Sequence, residues 1–163
     1  MELYLKDVKP YVRFGRYRIH IDKTDYNNLY IKTKDSRLFY VISGKGGMEI
    51  EGVNYSLGAG SIVLFRGGTE YRWDVGNMQV CIVNFDYTFS AMDKGRSSPI
   101  LASQFNDSSY EPRYTFVDIP ALNSPIVLNG AFSIAEKVKE MVAEIHINDD
   151  YTQELVSGMM KNI

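Results

Sequence analysis

Few residues in this chain could do chemistry unaided. Its 163 residues include two histidines, His20 and His146, and one cysteine, Cys81. Cys81 lies in an apolar run with no histidine near it, and no serine is accompanied by a His–Asp set. The usual activated nucleophiles are therefore not assembled. Gly46-Gly47 leads into a strand rather than a helix, which makes a poor phosphate cradle. Glu49/Glu51 and Asp149/Asp150 read as solvated faces. His20 reads as a structural or exposed strand residue, and His146 as a residue near a helix C-terminus, where partial positive charge is favourable. The chain is expected not to be an enzyme.

A denser cluster lies in LFRGGTEYRW (64–73). Arg66, Glu70 and Arg72 surround a glycine pair, and Tyr71 and Trp73 share one parity on the strand that follows. Val80, Ile82 and Asn84 share a parity on the next apolar run. Strand–turn–strand units of this kind often line a barrel mouth. Arg66 could reach an anionic ligand there, or pair with Glu70 or a surface carboxylate.

The elements that must position these residues follow from periodicity. Tyr17, Ile19 and Ile21 alternate with Arg18 and His20, as in a half-buried strand. LFYVIS (38–43) is a buried strand, and Gly44-Lys45-Gly46-Gly47 is expected to turn the chain. Met48 and Ile50 alternate with Glu49 and Glu51, and Glu51-Gly52 predicts a hairpin returning through Tyr55 and Leu57. SIVLF (61–65), EYRWDV (70–75) and MQVCIVNFDY (78–87) follow as three strands separated by glycine-bearing turns. Such spacing predicts a sandwich or barrel. KGRSSP (94–99) and NDSSYEP (106–112) are loop-like around a short strand in ILASQF (100–105), and RYTFVDI (113–119) predicts a last strand before Pro120.

The period then changes. Ser133 and Glu136 have capping-box spacing. Ile134, Ala135, Val138, Met141, Val142 and Ile145 fall on one helical face, opposite Glu136, Lys137, Lys139, Glu140 and Glu144. Asn148-Asp149-Asp150 stops this helix and can cap a second, in which Leu155, Val156, Met159, Met160 and Ile163 share a face. No stop signal follows Ile163, as expected of a cut inside a longer protein.

Composition narrows the partners. Apolar residues are 45% of the chain, enough for a core, and the net charge of −2 is a poor match for nucleic acid. KPYVRFGRYRIHIDK (9–23) interleaves basic and aromatic residues, which suits single strands of nucleic acid or, more simply, an exposed basic strand face. One cysteine implies a reducing, cytoplasmic setting. The N-terminus lacks a signal peptide's apolar run, and no stretch is long enough to cross a membrane.

SRLFYVISGKGGMEIEGVNYSLGAGSIVLFRGGTEYRW (36–73) resembles the cupin-like N-terminal ligand-binding domain of AraC-family transcription regulators. Gly44 and Gly46 match the family's first turn, Tyr55, Leu57, Gly60 and Ser61 its middle segment, and Gly68 its last turn. The resemblance spans roughly residues 10 to 120. It implies an N-terminal arm (1–12), an effector-binding barrel (13–120) and dimerisation helices (130–163), with DNA contacted only through a helix-turn-helix region absent from this chain. Metal-binding cupins place histidines and a glutamate in the barrel. Here the glutamate's place falls near Arg37 and the third histidine's on Tyr71, so neither metal nor cofactor is expected.

By the resemblance, Tyr71, Trp73, Val80, Ile82 and Asn84 face the barrel interior and, with Tyr40 and Arg66, meet the effector. An aromatic face beside amide and hydroxyl groups suits a small polar molecule, with carbohydrate among the candidates. Trp73, Val80 and Ile82 fit an ordinary filled core equally well. The helix seam of Ile134, Ala135, Val138, Met141, Val142 and Ile145 is expected either to join a second copy in a homodimer or to pack on its own barrel. The expected fold is mainly β, a cupin-like jelly roll followed by an antiparallel helix pair. Two alternatives are a metal-independent epimerase or isomerase, and a stand-alone binding barrel.

Overall fold

The computed structural model describes residues 1–22, 28–89, 97–107 and 114–163. Two long strands organise it. β4 (Ser36–Ile50) and β7 (Tyr71–Asp86) pair antiparallel from Ser36 opposite Phe85 to Ile50 opposite Tyr71. β6 (Ile62–Phe65) pairs with the first half of β4 and β5 (Val53–Gly58) with its second half. β2 (Tyr11–Ile21) lines the far edge of β7. β3 (Ile31–Lys32) and β8 (Ile100–Leu101) extend the sheet on one side, and β10 (Ile126–Leu128) extends it beyond β6. β1 (Glu2–Leu3) pairs separately, parallel to β9 (Thr115–Phe116). The sheet curls into a half-barrel, and two helices follow.

The glycine segments at 44–47 and 76 are not turns, as the sequence predicts, but lie inside continuous strands. Lys45 faces Asn77 while Gly47 faces Asp74, so Gly46 opposes two residues of β7. This is a bulge, which bends paired strands without ending them. Glycine is needed because the backbones nearly touch: a Cβ on Gly76 would lie 2.4 Å from Gly46 Cα. The extra residue also reverses parity, so Tyr71 and Trp73 share one core with Met78 and Val80. The Glu51-Gly52 hairpin does form, with φ of 49° and 81° at its two central residues.

Alternate residues of the long strands feed two cores. Phe39, Val41, Met48, Ile50, Phe65, Tyr71, Trp73 and Val80 fill the concave interior. Leu38, Tyr40, Cys81, Val83 and Phe85 face the other way, under the helices and the N-terminal segment. LFYVI (38–42) is therefore apolar throughout because both its faces are covered.

α1 (Ala135–Ile147) and α2 (Thr152–Lys161) lie where periodicity predicts. The Ser133–Glu136 capping box does not form. A 3-10 turn at Phe132–Ile134 leads in instead, and Ile134 occupies the cap without a side-chain bond. Asn148 ends α1 at φ 52°. Asp149 Oδ1 then accepts hydrogen bonds from Tyr151 N at 2.9 Å and Thr152 Oγ1 at 3.1 Å. α1 presses on β2 so closely that a Cβ on Gly15 would meet Ile145 Cδ1 at 2.5 Å.

Two expected strands shrink. ILASQF is strand only at Ile100–Leu101 before a 3-10 turn, Ala102–Gln104. RYTFVDI keeps only Thr115–Phe116 paired; Arg113 and the loop segments 94–96 and 108–112 lie outside the described residues. Among the described residues no helix is long and apolar enough to cross a membrane.

Candidate functional site

The concave side of the sheet ends in charge rather than hydrocarbon. Register sets Arg37 of β4 opposite Asn84 of β7, on the parities of Phe39 and Val80 that face the interior. Asp35 precedes β4 by one residue. Asp35, Arg37 and Asn84 are 1%, 4% and 0% exposed. Arg37 Nη1 donates to Asn84 Oδ1 at 2.5 Å and Nη2 to the Ser97 carbonyl at 2.5 Å. Nη2 also lies 2.9 Å from Asp35 Oδ1, an ion pair by distance whose direction falls short of a hydrogen bond. Thr33, itself buried, donates its hydroxyl to the Asp35 carbonyl at 2.9 Å.

Four polar atoms of this cluster lack hydrogen-bond partners among the described residues: both Asp35 carboxylate oxygens, Arg37 Nε and Asn84 Nδ2. Each such buried group costs about 1–3 kcal/mol if left unmet. Burial raises the Asp35 pKa to about 6, outweighing the opposing pull of Arg37. Asp86 raises it further and Arg13 lowers it; these two are themselves paired at 2.5 Å beside the cluster. The set can thus offer two N–H donors and one carboxyl group, an acceptor when ionised, that changes charge near pH 6.

The expected ligand residues divide. Asn84 belongs to this cluster. Tyr71, Trp73 and Val80 line the interior as expected but are 2%, 4% and 0% exposed. Trp73 packs edge-on against Phe39 at 5.0 Å, and Tyr71 lies 4.8 Å from Phe65, so the rings fill the interior rather than present an open stacking face. Ile82 is half-buried against the same core. Two placements need correction. Tyr40 points to the helix side, because neighbours on a strand face oppositely, and burial raises its phenol pKa there. Arg66 does not pair with Glu70; its guanidinium donates to the Tyr114 and Asn123 carbonyls, pinning the 66–69 turn to the 114–123 segment, beside a polar pocket that Arg66 lines with Thr69, Asp107 and Tyr114, away from the barrel interior.

The helix seam also needs correction as a contact face. Val138, Met141 and Val142 are at most 2% exposed and pack on this chain's own sheet, with Ile134, Ala135 and Ile145 beside them. Outward-facing apolar residues lie instead at Ile147, Tyr151 and Leu155.

Sequence reasoning placed Arg37 only as a group opposing metal and passed over Asp35. The available signal was two charged residues just ahead of the run LFYVI (38–42), which is apolar on both faces. His20 is exposed beside Asp22, and His146 is exposed on α1. Among the described residues no three histidine, cysteine, aspartate or glutamate side chains converge. Burial pushes the Cys81 thiol up to about 12, away from nucleophilic use.

The architecture is that of a mainly β half-barrel with two C-terminal helices. No family model and no curated protein matches the chain. Solved structures do resemble it. An 11S allergen from Cocos nucifera is 17% identical over 45% of this chain and 25% of that one, with a TM-score of 0.38. The nucleoside dehydratase Pac13 from Streptomyces is 14% identical over 56% and 75%, with a TM-score of 0.38. Apo ToxT K231A from Vibrio cholerae is 13% identical over 95% of this chain and 52% of that one, with a TM-score of 0.46. The chain spans 21–26% of the length of the 11S and vicilin chains it resembles. At these identities the likeness concerns the fold alone.

Proposed function

We propose that this chain is the effector-binding and dimerisation domain of a bacterial AraC-type transcription regulator, working in the cytoplasm without metal or cofactor. The observation that carries the ligand-binding part is the Asp35–Arg37–Asn84 cluster. A molecule with a donor for Asp35 and acceptors for Arg37 Nε and Asn84 Nδ2 would satisfy groups that meet no partner among the described residues. Sugar hydroxyls, each donor and acceptor, suit that pattern. Because Arg37 also holds the Ser97 carbonyl, a ligand competing for the guanidinium would loosen the segment at 97. DNA contact would be made by a further region, its orientation biased through linkage between effector, barrel and helices. A second copy would use the outward helix residues Ile147, Tyr151 and Leu155.

A thermal-shift panel of sugars, polyols, amides and small acids tests the site on wild type and Arg37→Met. The expected effector raises the melting temperature of the first and not the second; a shift of equal size in both places the ligand elsewhere. A stop codon directly after Ile163 in the gene would overturn the regulator reading. One observation favours a second reading, a metal-independent enzyme: Asp35, held near pH 6, is a carboxyl able to exchange a proton under mild conditions. Substrate turnover abolished by Asp35→Asn would decide for it.

A further inference from the structure

On the opposite side of the sheet from the Asp35–Arg37–Asn84 cluster lies an apolar cavity of about 250 Å³. Leu38, Leu64 and Phe85 form part of its floor, Val8 of the N-terminal segment one wall, and Met160 of α2 another. Three elements distant in sequence therefore meet around it without filling it. We propose that this cavity binds an uncharged, compact, largely apolar small molecule of about ten carbons, at a site separate from the barrel interior.

Size and chemistry set the class. An apolar cavity of about 150 Å³ stays dry and accepts benzene, so 250 Å³ scales to roughly ten carbons. Among the described residues, Lys161 is the only charged side chain in the lining. Its ammonium already donates to the Val8 carbonyl at 3.2 Å and the Lys6 carbonyl at 3.4 Å. An anion would have to draw it from those acceptors, whereas a hydrocarbon leaves them in place. A sugar would lose hydration against these apolar walls and find few partners. Burial of hydrocarbon, by contrast, recovers the dispersion contacts that the walls lack.

Occupancy has a structural consequence. The N-terminal segment and α2 already meet through Lys161 and through Gln153, which donates to the Val12 carbonyl at 2.7 Å and accepts from Val12 N at 3.3 Å. A ligand wedged between them adds contacts to both walls at once, so it would hold α2 and residues 5–10 to the sheet more firmly.

The chain's methionines supply the readout. Met160 lines the cavity, while Met48 and Met78 are fully buried in the concave core. In ¹³C-methyl-methionine NMR, camphor and naphthalene, both uncharged ten-carbon molecules, are titrated against 1-naphthoate and glucose. The Met160 resonance is expected to move saturably with the two uncharged probes while Met48 and Met78 stay in place. Leu64→Trp, which fills the cavity from β6, and Ile126→Phe, a milder filling, should each weaken binding at least tenfold. The proposal is overturned if Met160 does not move up to the probes' solubility, or if Met48 and Met78 respond instead. It is equally overturned if 1-naphthoate binds more tightly than naphthalene, or if both filling variants, folded by their spectra, bind as wild type does.

Discussion

Arg37 Nη2 lies 2.9 Å from Asp35 Oδ1, yet neither Asp35 oxygen receives a hydrogen bond among the described residues. The guanidinium supplies charge without the directional bonds that normally hold a buried carboxylate ionised. Desolvation therefore prevails, and the Asp35 pKa rises from 3.8 to about 6.

The rise has a sign for stability. Between the two values the native state holds a proton that the unfolded state has released, so stability falls as pH increases. The contribution is fully present below about pH 4 and lost as pH rises through 6, a change of at most about 3 kcal/mol. Urea unfolding of wild type and Asp35→Asn from pH 4 to 7 should show the wild type losing stability relative to the variant. Parallel curves would mean that Asp35 does not titrate in this window.

Removing only one partner should be worse than removing both. Arg37→Met leaves Asp35 buried without its counter-charge and is expected to cost about 3–5 kcal/mol. The double variant Arg37→Met with Asp35→Asn should recover much of that loss, since no charge is then stranded. A double-mutant cycle in urea at pH 7 measures the coupling, and strictly additive losses would show that the two side chains do not act as a pair.

The bulge between β4 and β7 should tolerate no side chain. A Cβ on Gly76 would meet Gly46 Cα at 2.4 Å and the Lys45 carbonyl at 2.5 Å, both backbone atoms that cannot swing aside. Gly76→Ala is expected to cost about 3 kcal/mol or more. Gly52→Ala, which meets nothing within 4 Å but sits at φ +81°, should cost only about 1 kcal/mol. The two denaturation midpoints, measured side by side, separate close approach from backbone conformation.

The same glycines mark where the fold was legible and where it was not. Alternation and helical periodicity are local, so the Glu51-Gly52 hairpin, the two helices and the stop at Asn148 could be read directly. Gly46 and Gly76 carry the turn signal but serve a contact between strands thirty residues apart, which no local pattern encodes. The candidate site was hidden for the same reason, since Arg37 and Asn84 are 47 residues apart in sequence and only register brings them together. The parity shared by Tyr71 and Trp73, and that shared by Val80, Ile82 and Asn84, were each legible, but only the resemblance turned both inward; whether they lined an open or a filled interior depended on Phe39 and Phe65 packing against them.

Cys81 should report on global unfolding. It is fully buried between the sheet and the helices, and its thiol is pushed up to about 12 by burial. Reaction with a thiol reagent at pH 8 is expected to be limited by opening of the core, and so to accelerate in urea as stability falls. Fast labelling in native buffer would show that the helix pair lifts from the sheet without global unfolding.

The helix pair offers two faces whose substitutions should separate stability from association. Val138 is fully buried against the sheet, so Val138→Ala removes packing from the monomer and is expected to cost about 1–3 kcal/mol. Leu155 is 51% exposed, near Ile147 at 61% and Tyr151 at 69%, and contributes little to the monomer's own core. Leu155→Glu should therefore leave the denaturation midpoint within about 0.5 kcal/mol of wild type. If two copies join through this surface, sedimentation will show the wild type heavier than Leu155→Glu at equal concentration, because a carboxylate buried there lacks a partner. A dimer unaffected by Leu155→Glu would place the contact on another part of the surface, since the face of Val138, Met141 and Val142 is already covered by the chain's own sheet.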